Sequence, residues 1–184
     1  MAYFNTRDIA AISLCASLWG VLNVTISPTF WQLTHLPILC DLIGFTCLMV
    51  AVWLTKKLGT GTAVGLIATA INLLLRPDLT NFLGFTAASI LFDITARLVG
   101  YKACFGSPAS SSVSLTMLST ISGALAGLII GNLFMIPTAI TTMYGTVFVF
   151  ASLHALGGLI GGVIGFILVK ALELRGVLAT RILE

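Results

Sequence analysis

Charge is scarce in this chain. Nine Lys+Arg and six Asp+Glu make 8% of 184 residues, where a soluble domain carries about 25%. That is too little to clothe a water-facing surface, which excludes a soluble globular enzyme and a disordered chain. The bases are few and unclustered, with a formal net charge of only +3, which excludes a nucleic-acid binder. Four cysteines (Cys15, Cys40, Cys47, Cys104) lie scattered, without a CxxC pair or metal-ligand spacing. They read as small buried residues and not as a disulfide framework. Catalytic signatures are missing too. There is no GxxxxGK[ST] phosphate loop, no HExxH and no GxSxG, so the chain has no nucleotide site of its own. Gly59-Thr60-Gly61 leads into an apolar run and carries no dinucleotide signal. The only two histidines, His35 and His154, lie far apart in sequence, and their spacing with Asp41 does not argue for a metal. Neither an enzyme nor a cofactor is expected.

What fills the chain is apolar sequence. Hydrophobic residues make 58% and the mean hydropathy is +1.11. A membrane span takes about 20 mostly apolar residues. Six stretches qualify, the third being short: Ile9–Ile26, Leu36–Leu54, Thr62–Leu75, Leu79–Val99, Leu115–Phe134 and Tyr144–Ala171. The expected fold is an all-α integral membrane protein, a single bundle of six transmembrane helices. The first run has no small-residue cleavage site after it and reads as a retained span, not a signal peptide. Placing the N-terminus in the cytoplasm puts Arg7, Lys56, Lys57, Arg97, Lys102, Lys170, Arg175 and Arg181 inside, and only Arg76 outside. That bias follows the positive-inside rule and predicts both termini in the cytoplasm of a cell-membrane protein.

Small residues recur where helices would touch. The fifth span carries Ser119, Gly123, Gly127 and Gly131, and the sixth Gly157, Gly158, Gly161, Gly162 and Gly165. Such rows let backbones approach in lipid, where no hydrophobic force drives helices together. The first span carries Ala11 and Cys15, with Ser13 and Ser17 beside them, and is the expected face for a partner protein.

The polar residues of the spans sort by depth. Trp31, His35, Asp41, Asn72, Asn81, Asn132, Tyr144 and His154 come from separate elements but fall in the outer half. That placement predicts an outward-opening polar pocket. Each has a plainer role open to it: an interfacial aromatic belt for Trp31 and Tyr144, interhelical hydrogen bonds for the three asparagines, and a satisfied bundle histidine for His154. Arg76 and Asp78 are placed to pair across their turn. Asp93 and Arg97, four apart on one helix face, read as a local ion pair or as a docking contact on the inner side.

These features together resemble the substrate-binding S components of energy-coupling factor (ECF) transporters. The resemblance rests on Arg7-Asp8-Ile9-Ala10-Ala11-Ile12-Ser13-Leu14-Cys15-Ala16, similar to that family's small-xxx-small first helix. It continues in the polar-aromatic first loop leading into Leu36-Pro37-Ile38, and in Lys57-Leu58-Gly59-Thr60-Gly61-Thr62-Ala63-Val64-Gly65-Leu66-Ile67-Ala68. It ends in Phe82-Leu83-Gly84-Phe85 with Ala87-Ala88. The resemblance implies high-affinity capture of a vitamin or vitamin precursor, energised by a transmembrane coupling subunit and two ATPase subunits. Ala11 and Cys15 would dock on the coupling subunit. Aromatic, Asn and His side chains suit a flat heterocycle such as a pyrimidine or thiamine-like ring, and Asp41 could meet a cationic one. Two other readings stand beside it: a small structural subunit of a larger membrane complex, and a stand-alone facilitator of a small solute.

Overall fold

A computed structural model describes residues 3–78 and 80–177. Among them there is no β-strand, and five helices are long and apolar enough to cross a membrane. Leu79 and Arg181 lie outside the described residues.

Helix α1 (Thr6–Thr25) starts on a capping box: the Asp8 N–H donates to Asn5 Oδ1 at 2.8 Å and the Asn5 N–H to Asp8 Oδ2 at 3.0 Å. A short helix α2 (Ser27–Thr34) follows, with Pro28 in its first turn and His35 closing it in the left-handed conformation. Helix α3 (Ile38–Thr55) returns to the first end, and α4 (Thr60–Leu75) leaves it after Gly59, at φ +90°. At about 24 Å, α4 is shorter than the five long helices. A 3-10 turn (Thr80–Phe82) leads into α5 (Leu83–Val99), and α6 (Tyr101–Phe105) is one short coil beyond it. Helix α7 (Pro108–Ile129) ends in a π-helical turn, Ile130–Phe134. Helix α8 (Pro137–Tyr144) precedes the longest helix, α9 (Val147–Leu174).

Several boundaries differ from the hydropathy reading by a few residues, and two of them have a clear local cause. The fifth expected span begins at Pro108 and not Leu115, because Ser107 caps it and the serine-rich turn that follows is helical, with Ser111 buried. The last begins at Val147 and not Tyr144. Gly145, at φ +77°, breaks the chain there and Thr146 caps the new helix, so Tyr144 ends α8 instead. Apolar content measures what lipid tolerates, whereas caps and left-handed glycines decide where a helix starts.

Helix α9 is wedged between α7 and α3, and glycine permits it. A Cβ on Gly123 would stand 2.6 Å from the His154 carbonyl oxygen, and one on Gly161 2.9 Å from Leu42 Cα. Helix α1 lies against α3 and α4, and α5 against α4 and α7.

Apart from Asp41, Arg76 and Asp78, the charged groups of the described residues gather at one end. Lys57 bridges to Asp8 at 2.7 Å, Trp53 Nε1 donates to Glu173 Oε1 at 3.0 Å, and Lys170 reaches Gly106 O at 3.2 Å. The start of α1 and the end of α9 therefore share that end. Asp93 and Arg97 do not pair. Asp93, on α5, accepts from the Gly59 and Thr62 N–H groups and the Thr62 hydroxyl at 2.8, 3.1 and 2.9 Å, capping α4 from a neighbouring helix. The Arg97 guanidinium lies over the Tyr101 ring instead, 5.9 Å from its centroid. Free N–H groups at a helix start compete better for a buried carboxylate than an exposed arginine does.

Candidate functional site

At the opposite end the helices part around a cavity of about 300 Å³. Its walls are aromatic: Trp31 from α2, Phe82 from the 3-10 turn, Phe85 from the start of α5, Phe134 from the π-helical turn and Phe150 from α9. The Phe82 and Phe85 rings pack at a tilt of 39° with centroids 5.1 Å apart, and Phe150 meets the His154 ring edge-on at 4.7 Å. The polar lining is Asn23, Ser27, Cys40, Asn81 and His154, with Asp78 and Thr80 at the exposed rim. Asp78 is held there by Arg76, whose Nε and Nη2 donate to its two carboxylate oxygens at 3.2 and 3.0 Å. Those hydrogen bonds keep the Asp78 carboxyl below its ordinary range.

Of the eight residues expected to form the pocket, Trp31, Asn81 and His154 line it. Two more stand immediately behind. Asp41 is fully buried with Oδ2 2.7 Å from His154 Nδ1, so it holds the imidazole and is not itself part of the lining. That removes it as a direct partner for a cationic ring. Asn72 is fully buried and clamps α4 to α1, accepting from Asn23 Nδ2 at 3.1 Å and donating to Ala68 O at 2.8 Å.

Tyr144 and His35 act at the edge. Trp31 Nε1–H donates to Tyr144 Oη at 3.2 Å, and the Tyr144 O–H donates to the His35 backbone oxygen at 2.7 Å. Together they latch α8 onto α2, the helix that carries Trp31. The His35 ring meets Trp31 edge-on at 5.3 Å but is exposed. Asn132 is exposed, its amide folded back on Leu128 O at 2.7 Å. Ile130 and Phe134 occupy the cavity side of that turn, and a residue midway between them points the other way.

Asn23 and Ser27 were not expected. Both are buried at the cavity, and Asn23 Oδ1 and Ser27 Oγ have no hydrogen-bond partner among the described residues. An Asn and a Ser four residues apart at the end of an apolar run were the available signal. On the presumed docking face, Cys15 is in the core and Ala11 is half-buried, whereas Ala10, Ser13 and Ser17 are exposed.

No family model matches the chain, and no curated protein or solved structure matches it significantly. The function must be read from the cavity.

Proposed function

We propose that this chain is a membrane-embedded substrate-binding subunit for uptake of a small heterocyclic solute such as a vitamin or its precursor. A coupling subunit and two ATPase subunits would energise it, as the resemblance to ECF S components implies. In this reading the bundle crosses the cell membrane six times with both termini in the cytoplasm, and the cavity opens outward. The single observation that carries it is the cavity itself: about 300 Å³, walled by five aromatic side chains, at the end of the bundle opposite the Lys57–Asp8 and Lys170–Glu173 pairs. Pockets for small organic ligands begin at about that size and share that mix of apolar wall and few polar groups. The polar groups of the cavity stand at one end of the bundle, which suits capture from one side better than a continuous channel. Mass spectrometry of small molecules released from the purified protein tests the reading. A stoichiometric heterocycle supports it, whereas a protein that releases none and binds none in solution is a structural subunit.

A further inference from the structure

The polar lining has a fixed hydrogen-bonding sense at two points. Asn23, 5% exposed, donates from Nδ2 to Asn72 Oδ1 at 3.1 Å, and its Oδ1 has no partner. The orientation is imposed by Asn72, whose own Nδ2 is turned to Ala68 O and Gly20 O at 2.8 and 3.4 Å. Flipping the Asn23 amide would set oxygen against oxygen. Asn23 Oδ1 is therefore a fixed acceptor at the cavity.

His154 supplies the opposite sense. It is 2% exposed, Nδ1 faces Asp41 Oδ2 at 2.7 Å, and Nε2 has no partner. Among the described residues no other charged side chain contacts the pair. Helix α7 presents Gly127 to the ring and Gly123 to the His154 carbonyl, α5 presents Phe85, and α3 presents Asp41 itself. Among the described residues no lysine or arginine lines the cavity, and Arg76 is engaged by Asp78 in the exposed turn. A buried Asp–His pair in such surroundings is favoured as a net-neutral unit. With one proton held between Asp41 Oδ2 and Nδ1, 2.7 Å apart, the neutral unit carries its remaining hydrogen on Nε2, and in that state the nitrogen is a donor.

Resting on the reading of the cavity as the substrate site, we propose that it selects an uncharged planar heterocycle with one donor and one acceptor. The ligand's N–H or O–H is received by Asn23 Oδ1, and a carbonyl oxygen or ring nitrogen receives His154 Nε2–H. Its faces lie against Phe82, Phe85 and Phe150. Lactams, aromatic carboxamides and aminoazines have this character. Permanently charged rings do not, and Asp41 is not free to attract them.

The test is calorimetry on the full chain in lipid nanodiscs with matched probes. Nicotinamide, 2-pyridone and 4-aminopyrimidine carry donor and acceptor. N,N-dimethylnicotinamide, 1-methyl-2-pyridone and 4-dimethylaminopyrimidine lack the donor, and 1-methylnicotinamide is the cation. At least one donor–acceptor probe should bind, with its methylated counterpart weaker by about tenfold or more. Asn23→Leu should remove that preference. Because His154 alone cannot be removed without stranding Asp41, the second variant is Asp41→Leu/His154→Phe. It should fold and should lose affinity for the donor–acceptor probes. Tightest binding by the cation, equal binding of methylated and parent probes, or an unchanged preference in Asn23→Leu overturns the proposal and leaves the cavity a ligand site. Failure of every probe, with no molecule co-purifying, overturns both.

Discussion

His154 Nδ1 lies 2.7 Å from Asp41 Oδ2, and the pair is sealed between α9 and α3 with 2% and 0% of the two side chains exposed. Glycine makes the seat. A Cβ on Gly157 would stand 2.8 Å from Asp41 Cβ and 2.9 Å from Ile38 O, and one on Gly127 2.9 Å from His154 Cβ. The glycine rows of α7 and α9 thus pack the bundle and also house the polar pair that backs the cavity.

Gly157→Ala should destabilise the protein by about 1–3 kcal/mol, the usual cost of overpacking. Ser152→Ala, at an exposed position of the same helix, should stay within about 0.5 kcal/mol of the parent. Thermal unfolding in nanodiscs compares the two; equal midpoints would mean that α9 does not need the close approach at Gly157.

Asp41→Leu alone strands the His154 imidazole and should cost about 3–5 kcal/mol, whereas Asp41→Leu/His154→Phe should recover most of that. The same unfolding measurement decides it. A double variant as weak as the single one would show that the pair is not an isolated energetic unit.

Asp93→Ala should cost about 1–3 kcal/mol by leaving the first N–H groups of α4 without their acceptor. Arg97→Ala should change stability by less than about 0.5 kcal/mol. Were both changes equally harmful, the two residues would act as an ion pair after all.

Tyr144→Phe removes the hydroxyl that joins Trp31 to His35 O and so loosens α2 from α8. Hydrogen exchange of backbone amides in residues 27–36 and 137–144 should speed up while α3 and α9 stay protected. Unchanged exchange in both segments would show that the latch is held by packing alone.

For the six-span topology, a cysteine at Lys56 should resist a membrane-impermeant maleimide applied to intact cells, and one at exposed Gln32 should react. Gly145→Ala would serve as a local control for α8, since φ +77° disfavours a side chain there. Labelling at position 56 from outside refutes the orientation.

Much of this was legible in the residues alone. Scarce charge and six apolar runs imply a helical membrane bundle, because lipid tolerates little else. The separation of Lys57, Lys170 and Arg175 from Trp31, Asn81 and His154 follows from counting turns along each run. Depth in a bundle is nearly linear in sequence, at about 1.5 Å per residue, so the end at which a residue sits can be read directly. The face it presents cannot. In water, the apolar stripe of a helix marks its buried side, but lipid and core are both apolar, so that periodicity is silent here. Only the packing of α9 against α3 and α7 turned Asp41 into the support of His154, and the π-helical turn after α7 pointed Asn132 outward. Asn23 entered the cavity because Asn72, 49 residues away, holds its amide. Residue types and depth are local properties of the chain, whereas rotation about each helix axis is decided by which neighbours its glycines admit.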